Sequence, residues 1–159
     1  MITETDLRHL RRCVDLAAEA LDAGDEPFGS VLADPTGEVL LEERNRVNAV
    51  DRTRHPELAI VRWAAANLSP EERAAVTVYT SGEHCPMCAA AHALVGLGRI
   101  VYATSRKQLS QWRTECGAPP SPVSPLPIQA VAPDVRAEGP VEQYVDEVRA
   151  LHRRLMTHG

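Results

Sequence analysis

The chain has 159 residues, 44% hydrophobic and 25% charged, and no apolar run approaches the roughly 20 residues a bilayer span needs. Seventeen Lys and Arg against 22 Asp and Glu give a net charge of −5, the wrong sign for a chain that works by neutralising phosphate backbones. The length suits a single domain over 1–159 with its own core and excludes a second large one. The N-terminus, Met1 to Asp6, has no basic segment leading into an apolar stretch, so a cytoplasmic, reducing setting is expected. Four cysteines in that setting suggest metal or chemistry before disulfides.

Leu7, Leu10, Val14, Ala17 and Leu21 recur every three or four residues and predict an amphipathic first helix, opened by Thr3 or Thr5 and stopped at Gly24. Phe28–Ala33 and Glu38–Glu42 flank Asp34-Pro35-Thr36-Gly37, which predicts a β-hairpin. A second helix starts near Pro56, since proline is tolerated in a first turn, and runs through Leu58, Val61 and Ala65. Ser69-Pro70-Glu71-Glu72 has the form of a capping box opening a short helix. Val76–Thr80 and Ile100–Ala103 read as strands, with a helix from Pro86 towards Leu97 between them, ended by Gly96 and Gly98. Seven of the twelve prolines fall between Pro119 and Pro140, so 105–140 is expected to be a proline-rich loop or lid hiding at most one short edge strand. Val141, Val145, Val148, Leu151 and Leu155 predict a C-terminal helix over 141–156. Helices alternating with short strands argue for an α/β fold, a sheet covered by helices on both faces.

Two patches carry chemistry: His55-Pro56-Glu57 and Cys85-Pro86-Met87-Cys88. Zinc takes nitrogen and sulfur ligands in a tetrahedron, and catalytic zinc keeps three protein ligands plus a water, the count that His55, Cys85 and Cys88 supply. If a helix begins at Pro86, both cysteines lie in its first turn, where the helix dipole favours thiolates. Glu57, two positions from the histidine, is placed to take a proton from the activated water. Two other readings compete. A redox dithiol would normally follow the first strand of its fold, whereas this motif comes after half the chain. A structural zinc would want a fourth ligand, and the nearest candidate, His84, adjoins Cys85 and is poorly placed to close the same tetrahedron.

His-x-Glu followed by Pro-Cys-x-x-Cys is the signature of zinc nucleobase deaminases, and His55-x-Glu57 with Cys85-x-x-Cys88 resembles it closely. The chain resembles the cytidine deaminase-like superfamily, on its guanine deaminase, yeast-type cytosine deaminase and tRNA adenosine deaminase side. Pro27-Phe28-Gly29-Ser30-Val31 is similar to the Pro-Phe-Gly-Ala-Val element of bacterial guanine deaminases, and Asn45-Arg46-Val47 matches their asparagine upstream of the histidine. The resemblance covers about residues 7 to 105. It departs from the family pattern at Pro56, where Ala or Gly is usual, and at His84, where Pro is usual.

The resemblance implies a three-layer α/β/α sandwich with a mixed sheet of about five strands. It also implies that His55, Cys85 and Cys88 hold Zn²⁺ and that Glu57 shuttles protons during hydrolytic deamination. Asn45 would bind a ring carbonyl or ring nitrogen, Phe28 would lie against the base, and His84 would stand at the pocket wall. The family closes its pocket from the region of Trp112 and Glu115, so Trp112 is a substrate-binding candidate and Glu115 a candidate for assisting proton transfer. Members are commonly dimers, so a homodimer is expected. Other residues have plainer readings: Cys13 and Trp63 as core, His92 as a core or helix-face histidine, and Arg149, Arg153 and Arg154 balanced by Glu142, Asp146 and Glu147.

The leading expectation is a zinc hydrolase acting on a small nucleobase or base-like heterocycle of the guanine, cytosine, isocytosine or aminotriazine type. From Ile100 onward seven basic residues face six acidic ones, so no polybasic strip supports the alternative, a tRNA adenosine deaminase. No Gly-rich phosphate loop is visible, which also ranks nucleosides and nucleotides second. A zinc-stabilised binding module without activity is the reading from another class.

Overall fold

The computed structural model describes residues 1–158. Helix α1 (Glu4–Asp22) opens at Thr3, whose hydroxyl accepts the Asp6 amide while the Asp6 carboxylate accepts the Thr3 amide. Strands β1 (Gly29–Ala33) and β2 (Val39–Arg44) form an antiparallel hairpin. Its turn is fixed by Asp34, whose carboxylate accepts the Thr36 and Glu38 amides. Then come α2 (Pro56–Asn67), α3 (Pro70–Ala75), β3 (Thr77–Gly82), α4 (Pro86–Val95) and β4 (Arg99–Thr104). The chain ends with α5 (Arg106–Glu115), α6 (Ile128–Val131), β5 (Ala137–Glu138) and α7 (Glu142–His158).

The sheet has five strands in the order β2-β1-β3-β4-β5, with β1 antiparallel to both neighbours and β3, β4 and β5 parallel. Side chains alternate across it, as the strand period of two requires. Val31, Ala33, Tyr79, Val101 and Ala103 meet α1, α5 and α7 on one face. Leu32 and Val78 meet α2 on the other, where Ile100 and Tyr102 pack with α4 and α6. The three-layer α/β/α arrangement and the mixed five-stranded sheet agree with the expectation. Gly29 lets α1 cross β1 closely, because a Cβ there would collide with the Cys13 carbonyl and Leu16. No helix among the described residues is long and apolar enough to cross a membrane.

Segment 105–140 departs from the expected loop. Its prolines begin only at Pro119, and upstream of them the ten residues Arg106–Glu115 form α5, opened by a capping box in which Ser105 accepts the Gln108 amide and Gln108 accepts the Ser105 amide. Two buried residues, Leu109 and Trp112, make too narrow an apolar stripe to show in so polar a stretch. Residues 118–127 are irregular, and the edge strand within the proline-rich part is β5.

Candidate metal centre and active site

His55 is the N-cap of α2 and Cys85 the N-cap of α4, and each is followed by a proline at the first helical position. Pro56, unusual for the motif, fits because that position has no intrahelical partner for an N–H. Both helices start at the same end of the sheet, so the two caps meet. His55 Nδ1 lies 3.5 Å from Cys85 Sγ and 3.6 Å from Cys88 Sγ, and the three ligand atoms fall within 4.8 Å of one another. Zinc bonds of about 2.3 Å to sulfur and 2.0–2.1 Å to nitrogen, at a tetrahedral angle, separate sulfur from nitrogen by about 3.5 Å. The residues present therefore fit zinc without rearrangement. Hydrogen bonding from Cys88, then from His55, pushes the Cys85 thiol down to about 4, so a thiolate ligand is available at neutral pH.

Glu57 follows Pro56 and is 4% exposed. Burial pushes its carboxyl up, while the neighbouring His55 and a hydrogen bond from Thr80 oppose that shift. The Thr80 hydroxyl donates to Glu57 Oε1 at 2.7 Å and accepts from the Ser30 hydroxyl at 3.0 Å, so two strands brace the carboxylate. Oε2 has no side-chain partner among the described residues.

Phe28 is half-buried. A Cβ at Gly82 would approach its ring to 3.1 Å, so the ring lies on the backbone leading to the metal loop. His152 of α7 meets Phe28 edge-on, with ring centroids 4.9 Å apart, and Trp112 stands 6.0 Å from His152. Asn45 is buried. Its Oδ1 accepts the amides of Glu26 and Val47, which leaves Nδ2 as the group free to meet a ligand. His84 is buried against His92, with centroids 5.4 Å apart, and neither of its ring nitrogens has a partner. Glu115 is at the exposed end of α5, paired with Arg149 at 2.8 Å and accepting from Gln111. The structure thus gathers His55, Glu57, Cys85 and Cys88 at one point, with Phe28 on the approach to it, and leaves Glu115 in a surface ion pair.

Sequence reasoning missed four residues here. Thr80 and Ser30 are polar side chains on fully buried strands, a detectable signal. His152 falls on the apolar stripe of α7, four residues after Val148. Glu83 matches the Glu that precedes the first cysteine in the family pattern, but its role shows only in the fold: its two carboxylate oxygens accept the Arg106 and Ile128 amides, which ties the starts of α5 and α6 to the metal loop.

Residues 3–104 match the family model described as the cytidine and deoxycytidylate deaminase zinc-binding region. The chain belongs to this family. Among deaminases with curated names, it is 31% identical over 119 residues to the probable cytosine deaminase of Schizosaccharomyces pombe, covering 75% of this chain and 72% of that one. It is 38% identical over 81 residues to the guanine deaminase of Bacillus subtilis, covering 50% of this chain and 51% of the relative. A solved structure of guanine deaminase from Nitrosomonas europaea superposes with a TM-score of 0.68 at 19% identity, over 99% of this chain and 86% of that one, which shows a shared fold. Within the matched zinc-binding region the chain carries a His/Cys/Cys set able to hold a metal ion, with the buried Glu57 two residues from its histidine.

Proposed function

We propose that the chain hydrolyses the exocyclic amino group of a small heterocycle of the nucleobase class (guanine, cytosine, isocytosine or an aminotriazine) and releases ammonia. The observation that carries this reading is Glu57, buried and braced by Thr80, two residues from His55 of the metal triad. His55, Cys85 and Cys88 would hold zinc, which when bound lowers the pKa of a water towards neutrality and so supplies the nucleophile. Thr80 holds Oε1, so Oε2 of Glu57 takes the proton of the attacking water, delivers it to the ring nitrogen beside the attacked carbon, and helps the amino group leave. A carboxyl raised by burial holds such a proton more readily than an exposed one. Phe28 offers its ring to one face of the heterocycle, and Asn45 Nδ2 offers a donor to a ring carbonyl or nitrogen.

Ammonia release by the zinc-loaded protein across these bases, their nucleosides and an adenosine anticodon stem-loop tests the reading, with Glu57→Gln as control. Turnover of a free base, lost in the control, is the expected result. Turnover of the stem-loop alone would move the activity to RNA, and silence on every substrate with zinc bound would leave a binding module. Cytoplasmic residence and a homodimer belong to the same proposal. Sedimentation at twice the chain mass is expected, and a single-chain species would count against the dimer.

A further inference from the structure

A cavity of about 350 Å³ lies between α5 and the irregular segment 118–125. The polar residues that line it are Arg106, Ser110, Arg113, Thr114, Ser121 and Ser124, with no acidic residue among them. That is unusual in a chain of net charge −5. Arg11, Arg12, Arg44, Arg99 and Arg149 all pair with carboxylates. Arg106 is half-buried, and its Nε is sealed from solvent with no hydrogen-bond partner. Arg113 uses one N–H on the Pro119 carbonyl, at 2.8 Å, and has no ion-pair partner among the described residues. That buried Nε does not face the cavity; the terminal N–H groups of Arg106, which are not sealed from solvent and have no hydrogen-bond partner among the described residues, are the donors an anion in the cavity would meet.

The α5 wall of the cavity is tied to the metal loop through backbone. Thr104 pairs with Gly82 across the parallel strands β4 and β3, which lie about 4.8 Å apart, and two residues further on Arg106 donates its amide to Glu83, next but one to Cys85. His152, the ring packed against Phe28, feels the charge of both arginines: burial first, then Arg106 and Arg113, push its imidazole down to about 3. The other arginine-lined cavity, beside His55, differs, because Glu43 and Asp51 line it and Arg54 already pairs with Asp51. Two arginines without carboxylate partners favour an anion, and a phosphate, with more oxygens than a carboxylate, can accept from both.

We propose that the Arg106–Arg113 cavity is a phosphate subsite of this chain, filled by inorganic phosphate or by the phosphomonoester of a nucleotide form of the heterocycle, which would extend the proposed substrate range beyond free bases. The substrate source rests on the deaminase reading; the subsite itself does not. It is built from side chains of α5 and the proline-rich segment, which explains the lack of a glycine-rich phosphate motif in the sequence.

Isothermal titration of the zinc-loaded protein with inorganic phosphate, and with guanosine and cytidine 5′-monophosphates, tests the subsite without requiring turnover. One-site binding is expected, weakened roughly tenfold or more by Arg106→Gln and further by Arg106→Gln/Arg113→Gln, as loss of charge-assisted hydrogen bonds requires. A thermal melt of each variant checks folding. Arg106→Lys, which keeps the charge and loses the fork, serves if the Gln variant does not fold and is expected to bind with intermediate strength. No binding of phosphate or of either monophosphate, or binding unchanged in the double variant, would overturn the proposal. Ammonia release then separates the sources. A lower KM for a monophosphate than for its nucleoside, with the gap closed by Arg106→Gln, assigns the phosphate to the substrate. Phosphate binding without such a gap assigns it to the free ion. If no compound is deaminated, the titration still decides the subsite, so its failure and that of the deaminase reading remain distinct.

Discussion

In residues 1–104 the reactive groups are held by backbone: His55 and Cys85 cap helices, Cys88 sits in a first turn, and Glu57 is fastened to a central strand through Thr80. In residues 105–158 the groups that approach the site arrive as side chains of helices laid over the sheet, Trp112 and Arg106 from α5 and His152 from α7. Among the described residues, only Glu83 hydrogen-bonds the backbone of this later part directly to the metal loop. A capped helix at a sheet edge fixes an atom to a few tenths of an ångström, which metal geometry and proton transfer need. A packed side chain can be exchanged with less disturbance, which suits the choice of substrate. The first part should therefore govern turnover, and the second part affinity and stability.

The largest expected effect is that of Cys88→Ala, which removes one of the three proposed ligands. The purified protein should hold no stoichiometric zinc by metal analysis and release no ammonia. Glu57→Gln should retain zinc and lose about 10²- to 10⁴-fold in kcat, the usual worth of a positioned acid-base group; a variant with near-normal turnover would break the assignment of proton transfer to the first part. Thr80→Val should lower kcat about tenfold with little change in KM, as loss of one buried hydrogen bond to a charged group predicts, and Thr80→Ser should restore it.

His152 gives a pH test of the second part. Its imidazole titrates near 3 in the folded chain against 6.5 when free, so between those values the unfolded chain binds a proton that the folded chain does not. The stability contributed by keeping it neutral is present above pH 6.5 and is lost on acidification, by at most about 1.4 kcal/mol per pH unit. Denaturant unfolding of His152→Phe against the parent, from pH 7 to pH 4, should show the variant gaining relative stability as pH falls; parallel curves would contradict this. The smallest effect is that of Glu115→Gln. The ion pair with Arg149 is exposed on both sides, so its loss should cost less than about 1 kcal/mol in the same measurement.

The first part was readable because its signals are local. Thr3, Ser69 and the prolines at 56 and 86 mark helix starts within a few residues, and the ligand spacing names the metal. In the second part the C-terminal helix was readable from its apolar stripe, but its contacts were not, because they are distant in sequence. Phe28 meets His152 from 124 positions away, counting between the two contact partners, and no periodicity in either segment announces the pair. Ser105-x-x-Gln108 was a local signal for α5, but the prolines further on outweighed it. Thr80 lies between these cases: its burial was readable from the strand, whereas its partner Glu57 required the fold.

The two margins of the sheet bear on how the chain behaves when crowded. A free strand edge presents unpaired N–H and C=O groups to any neighbouring copy and templates aggregation unless it is blunted. At one margin β2 carries Glu42, Glu43 and Arg44, so a second β2 laid alongside would bring like charges together. At the other, β5 is two residues long and is followed after Gly139 by Pro140, which has no N–H to offer. Replacing Glu42 and Glu43 with valine would turn β2 into an apolar ribbon, and light scattering on warming should then rise well before the parent chain clouds.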